Sequence, residues 1–123
     1  MYRILLVDDD RLVLDIVRDM LLFKGYKVTA FYSSKRVLEL IADNNPYDLV
    51  MTDLRMPEVD GFGIAKASKA KNPERPVIVY SGWAADYEDE DLTGKGVDLL
   101  LPKPITMGVL FKSVEMLISR AGN

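Results

Sequence analysis

Neither cysteine nor histidine occurs anywhere in the 123 residues. Without cysteine the chain can form no disulfide, thiol nucleophile or thiolate metal site, and it is suited to a reducing cytoplasm, where we expect it. Without histidine, hydrolytic triads with an imidazole base and imidazole metal ligands are excluded within the chain. Any phosphohistidine chemistry has to be brought by another protein. Long apolar runs are also missing: the longest are strand-sized, far short of the roughly 20 residues of a membrane span. Met1 lies directly against the first apolar run, which leaves no room for a leader peptide, and no membrane association is expected. Lys and Arg together number 16 against 19 Asp and Glu, for a net charge of −3. Direct nucleic-acid binding, which draws on clustered basic residues, is not expected either.

What remains is enough for one domain, spanning 1–123. Hydrophobic residues make up 49% of the chain, and a domain of this size buries roughly two-thirds of the surface its unfolded chain exposes. The order of the chain is carried by apolar, β-branched runs that each end in a polar cluster. Ile4-Leu5-Leu6-Val7 leads into Asp8-Asp9-Asp10, and Asp48-Leu49-Val50-Met51-Thr52 into Asp53, with Met56-Pro57 behind it. Val77-Ile78-Val79-Tyr80 leads into Ser81-Gly82, and Val97-Asp98-Leu99-Leu100-Leu101 into Pro102-Lys103-Pro104. Such runs read as parallel strands buried on both faces.

Helical periodicity separates them. From about Arg11 to Lys24, Val13, Ile16, Val17, Met20 and Leu21 predict one apolar stripe, closed by Gly25. Lys27 to Phe31 is a further strand. Ser33-Ser34 offers an N-cap for a helix to Ala42, stopped by Asn44-Asn45-Pro46. After Asp60-Gly61, a weaker helix carrying Phe62, Ala65 and Ala70 runs to Asn72-Pro73. Asp86 to Asp91 holds five acids in six positions, so the fourth helix is expected to be short, anchored only by Ala85, Tyr87 and Leu92. From about Thr106, Met107, Leu110, Phe111, Val114, Leu117 and Ile118 follow a clean helical repeat. Five βα units predict a doubly wound α/β fold, with right-handed crossovers and helices on both faces of a parallel sheet.

Ligands of such sheets bind at the carboxyl ends of the strands. Asp8, Asp9, Asp53, Ser81 and Lys103 should therefore converge on one edge. Clustered carboxylates repel, by about 4 kcal/mol for two unit charges 4 Å apart at an effective dielectric of 20. A Mg²⁺ ion would relieve this and suits oxygen ligands beside a phosphate. A carboxylate can attack phosphorus to give an acyl phosphate, while lysine and a hydroxyl stabilise the transferring group. Taken singly, an acidic strand end is a solvated loop, Ser81 a turn residue, Lys103 a surface charge and the acidic run a solvated face. Asp10 reads as an acid favoured by the helix dipole, and Trp83 as packing over a loop.

In combination, Leu6-Val7-Asp8-Asp9, Thr52-Asp53-Leu54-Arg55-Met56-Pro57, Asp60-Gly61, Ser81-Gly82 and Lys103-Pro104 resemble the receiver domain of two-component response regulators, over essentially the whole chain. The resemblance implies a flavodoxin-like (βα)5 fold with strand order 2-1-3-4-5. It implies that Asp53 accepts a phosphoryl group from the phosphohistidine of a sensor histidine kinase or phosphotransfer protein. Asp9, Asp53 and the Arg55 carbonyl would bind Mg²⁺ directly, with Asp8 acting largely through water and Mn²⁺ as a substitute ion. Ser81 would be the switch hydroxyl, Lys103 the lysine that pairs with phosphate, and the Lys103-Pro104 bond cis. Such a domain is no enzyme beyond its own phosphorylation and dephosphorylation. It signals to a downstream protein through its fourth helix, fifth strand and fifth helix, and the resemblance leaves room for a homodimer.

The chain also departs from the pattern. Members often carry an aromatic residue on the fifth strand where Leu100 stands here. Arg55 and Trp83 flank the mouth of the site at positions the family varies, and the fourth helix is unusually acidic. Two other readings compete. A haloacid-dehalogenase-type phosphohydrolase would use Asp8 and Asp10, but Leu12 stands where such an enzyme has a small Thr or Val, no cap is present, and Asp53-Met56-Pro57 would go unexplained. A pseudo-receiver would share the fold and work through constitutive contacts, without need of the acids and the lysine.

Overall fold

Five apolar runs pair side by side as parallel strands in the order β2-β1-β3-β4-β5. The computed structural model describes residues 1–43 and 46–121. In chain order these form β1 (Arg3–Val7), α1 (Arg11–Phe23), β2 (Lys27–Phe31), α2 (Ser34–Ala42), β3 (Leu49–Asp53) and α3 (Gly61–Lys71). Then come β4 (Val77–Ser81), a 3-10 turn (Ala84–Asp86), α4 (Asp89–Thr93), β5 (Leu99–Pro102) and α5 (Met107–Ala121). Successive strand side chains face opposite sides, and this alternation builds two cores. Ile4, Leu6, Met51, Ile78, Tyr80 and Leu101 pack against α1 and α5. Leu5, Val7, Val50, Val77 and Val79 pack against α2, α3 and Leu92 of α4. Every strand of the inner trio is covered on both sides, which is why those runs carry no polar alternation.

The expected element order holds, with local corrections. β3 and β4 each extend one residue further than expected, so Asp53 and Ser81 are the last residues of their strands. Val97 and Asp98 precede β5 instead of opening it; the Asp98 carboxylate accepts the Val77 N–H at 2.8 Å and pairs with Lys69 at 2.7 Å. In α1 the buried stripe is Leu14, Val17 and Leu21, while Ile16 is half exposed, because the helix is turned toward Leu14. In α3, Ile64 takes the buried place and Ala70 faces out. Met107 at the start of α5 is exposed as well. The fourth helix does not span Asp86 to Asp91: a 3-10 turn comes first, and α4 is five residues long. Ala85 is exposed, leaving Leu92 buried and Tyr87 edge-on to Phe62 at 5.4 Å as its anchors.

Caps fall where side chains can satisfy the first amides of a helix. Asp10, Ser33 and Asp60 accept N–H groups of α1, α2 and α3. At the end of α1, Gly25 adopts a left-handed φ of 97°, and the N–H groups of Gly25 and Tyr26 return to the carbonyls of Leu22 and Leu21, a Schellman ending. Asn44 and Asn45, expected to stop α2, lie outside the described residues.

Candidate functional site

The register brings the polar strand ends together. Val7 stands beside Thr52, Asp53 beside Tyr80, and Ser81 beside Pro102. Asp8 therefore leaves β1 next to the end of β3, and Lys103 leaves β5 next to the end of β4. Asp8, Asp9 and Asp53 each offer a carboxylate oxygen within 4.8 Å of the others. Asp8 is fully buried, Asp53 nearly so, and Asp9 exposed.

Each oxygen has a definite environment. Asp53 Oδ1 accepts the Leu54 N–H at 2.9 Å and faces the Lys103 ammonium at 3.0 Å. No donor among the described residues is bonded to Asp53 Oδ2. Asp8 Oδ1 accepts the Asp10 N–H at 2.9 Å. Asp8 Oδ2 is buried without a hydrogen bond, and its nearest cation, Lys103 Nζ, is 3.6 Å away. A single ammonium thus pairs with two of the three clustered carboxylates, and Asp9 has no ion pair to it among the described residues. Burial, and then repulsion from Asp8, raises the Asp53 carboxyl above the usual range despite Lys103. Desolvation, and then Asp53, raises that of Asp9. An orphaned buried acceptor and excess negative charge among hard oxygens are what a small divalent cation satisfies, so the residues fit Mg²⁺.

Gly61 closes the floor of the site. Its N–H donates to the Leu54 carbonyl at 2.7 Å, and a Cβ built on it would lie 2.6 Å from the Asp53 carbonyl oxygen and 2.9 Å from Leu54 Cα. Both obstacles are backbone, so the sequence pair Asp60-Gly61 combines a helix cap with a close approach. Gly61→Ala is expected to destabilise the fold by about 1–3 kcal/mol, as overpacking does, and to displace the Asp53 backbone. Urea denaturation checks the first effect; an unchanged midpoint would show that the loop yields freely.

Ser81 is buried at the end of β4, and its Oγ accepts the Trp83 N–H at 2.9 Å. Among the described residues it makes no hydrogen bond to the acids. Trp83 is 54% exposed, and the Arg55 guanidinium stacks over it at 4.7 Å, so the two residues lean on each other. The Arg55 carbonyl accepts no hydrogen bond among the described residues. Leu100 packs, partly buried, against the core on the α2–α3 side. Asp10 turns away to cap α1 and takes no place among the clustered acids. The Lys103-Pro104 peptide is cis.

Sequence reasoning missed two residues. Ser34 donates to the Pro57 carbonyl and accepts the Val59 N–H, tying α2 to the loop behind Asp53. Tyr80, read only as a strand residue, lies beneath the acids, its hydroxyl 3.5 Å from the Val7 carbonyl and its ring under Lys103. The signal for Tyr80 was one aromatic residue in an otherwise aliphatic run.

A five-stranded parallel sheet in the order β2-β1-β3-β4-β5, with acids, a hydroxyl and a lysine gathered at its carboxyl edge, defines a doubly wound α/β class with its polar site at the strand ends. The model of the response regulator receiver domain matches residues 4–115, and the chain belongs to that family. It is 36% identical over 120 residues to the response regulator MprA of Mycobacterium sp. (strain KMS), covering 96% of this chain and 51% of that protein. MprA of Mycobacterium bovis (strain BCG / Pasteur 1173P2) is 33% identical over the same length. The chain spans about half the length of these curated relatives. Among solved structures, a response regulator receiver domain protein from Clostridium thermocellum superposes with a TM-score of 0.87 at 28% identity, covering 98% of this chain and 96% of that one. The response regulator TrrA of Thermotoga maritima, in complex with Mg²⁺ and beryllofluoride, gives 0.83 at 26% identity over 95% and 99%.

Proposed function

We propose that the chain, taken as one domain over 1–123, is the phosphoacceptor module of a two-component phosphorelay, with Asp53 as the acceptor. The observation that carries this reading is the state of Asp53. Its Oδ1 is held by the Leu54 N–H and Lys103, and its Oδ2 is bonded to no donor among the described residues. It sits among acids that fit a divalent cation, as the Mg²⁺ and beryllofluoride bound by TrrA also suggest.

Asp8, Asp9, Asp53 and the Arg55 carbonyl would hold Mg²⁺, or Mn²⁺ in its place, which when bound supplies positive charge to the phosphoryl oxygens. Asp53 Oδ2 attacks phosphorus of a partner's phosphohistidine, the P–N bond breaks, and the imidazole leaves with a proton. The product is an acyl phosphate on Asp53. Lys103, already at 3.0 Å from Asp53, pairs with a phosphoryl oxygen. Ser81 has only its acceptor side engaged, by the Trp83 N–H, and turns its hydroxyl proton to another phosphoryl oxygen. Movement of Oγ toward that oxygen would loosen the Trp83 amide, and the change would pass to the 3-10 turn, α4, β5 and α5. This face would meet the downstream protein or a second copy, in the cytoplasm, and the chain would catalyse only its own phosphorylation and dephosphorylation. Incubation with a phosphorylated histidine phosphotransfer protein and Mg²⁺ tests the reading: the label should move to this chain within minutes and not to Asp53→Asn.

The same geometry makes Trp83 a reporter. Its amide is tied to Ser81 Oγ and its indole to Arg55, so Mg²⁺ with beryllofluoride is expected to change its fluorescence, and Trp83→Ala is expected to speed loss of the phosphoryl group severalfold by opening the mouth to water. Constant fluorescence would remove the reporter role; an unchanged or slower loss in the variant would remove the obstruction.

A further inference from the structure

Tyr80 is the bulkiest of the fully buried side chains among the described residues. It alternates onto the α1–α5 side of β4, in the same core cluster as Leu6, Met51, Leu101 and Leu110. Its phenol donates to the carbonyl of Val7, the residue before Asp8, at 3.5 Å. On its face, 5.2 Å from the ring centroid, stands Lys103 Nζ. Lys103 therefore has three attractions: Asp53 Oδ1 at 3.0 Å, Asp8 Oδ2 at 3.6 Å, and the ring.

These attractions do not survive metal binding equally. The two carboxylates are groups a divalent cation would claim, and that cation repels an ammonium only a few ångströms away. The ring is neither a metal ligand nor a charge. Its negative face attracts an ammonium most strongly where water is excluded, and three-quarters of the Lys103 side chain is covered.

We propose that Tyr80 is a positioning residue: its ring keeps the Lys103 ammonium at the phosphoryl site while Asp8 and Asp53 engage the metal. This rests on the phosphoacceptor reading above. An unbranched apolar side chain such as methionine in place of Tyr80 would occupy much of the same core space but leave Lys103 to be driven outward.

The test is calorimetric titration of the Mg²⁺-loaded full chain with beryllofluoride, which takes the place of the phosphoryl group. Tyr80→Phe keeps the ring and is expected to bind within about twofold of wild type. Pentafluorophenylalanine at position 80 keeps the buried shape, so the fold is retained, but inverts the charge of the ring face. It is expected to weaken binding about tenfold, the scale of a desolvated cation–π contact, and Tyr80→Met is expected to do the same. In a Lys103→Met background, all three changes should have no further effect, which a role in packing alone would not produce. Equal affinity of the fluorinated and unfluorinated rings, or a loss undiminished in the Lys103→Met background, would overturn the proposal. Wild type that fails to bind beryllofluoride would instead overturn the phosphoacceptor reading on which it rests.

Discussion

Asp53→Asn is expected to gain no phosphoryl group from acetyl phosphate and Mg²⁺ under conditions in which wild type gains one. An amide is a poor nucleophile and would yield no acyl phosphate. The substitution is otherwise mild. The side-chain oxygen still accepts the Leu54 N–H, the volume is unchanged, and one of three mutually repelling charges is removed, so the variant should melt no lower than wild type. Asp8 and Asp9 are poor replacements: Asp8 is fully buried and Asp9 leaves from the outer wall of the cluster. Intact-mass measurement decides this. Full uptake by a folded Asp53→Asn would move the acceptor elsewhere.

Mg²⁺ is expected to raise the stability of the wild-type fold, by about 2.7 kcal/mol at a hundredfold excess over its dissociation constant. The cause is the charge imbalance at Asp8, Asp9 and Asp53, where one ammonium is shared. The direction with pH follows from the raised carboxyls of Asp9 and Asp53. Between the ordinary carboxylate pKa and the raised ones, the native state binds more protons than the unfolded state, so stability falls as pH rises through that window. Metal-free protein should therefore be less stable above the window than below it, and Mg²⁺ should restore stability above it and do little below it. Asp9→Ala should be neutral or stabilising without metal and should lose the metal response. Melting temperatures taken across pH, with chelator or with Mg²⁺, measure all of this; a wild-type curve indifferent to the ion would sink the metal assignment.

The elements legible in the sequence were those whose signal is local. Four of the five strands are aliphatic runs bounded by turn residues, and β3 and β4 are buried at every position. Their shared direction is enough to put Asp8, Asp9, Asp53, Ser81 and Lys103 on one edge. The acidic fourth helix was also readable as weak, because only Leu92 and Tyr87 could anchor it. What could not be read depends on packing between distant residues. Which flank of α1 turns inward, Leu14 or Ile16, is decided by the sheet it meets. Glu58 adopts a left-handed φ of 70° in the loop behind Asp53, a conformation glycine usually signals. Tyr80 differs from its neighbours only by a ring, and its place beneath Lys103 follows from the β4–β5 pairing.

The central claim is that Asp53 is a metal-dependent phosphoacceptor, and one measurement reaches it directly: the intact mass of wild-type protein after incubation with acetyl phosphate, with Mg²⁺ and with chelator. The account predicts a gain of a single phosphoryl group with Mg²⁺, little or none with chelator, and reversal on standing or in hydroxylamine, which cleaves acyl phosphates. No gain under either condition, or a gain that ignores the metal and resists hydroxylamine, would contradict it.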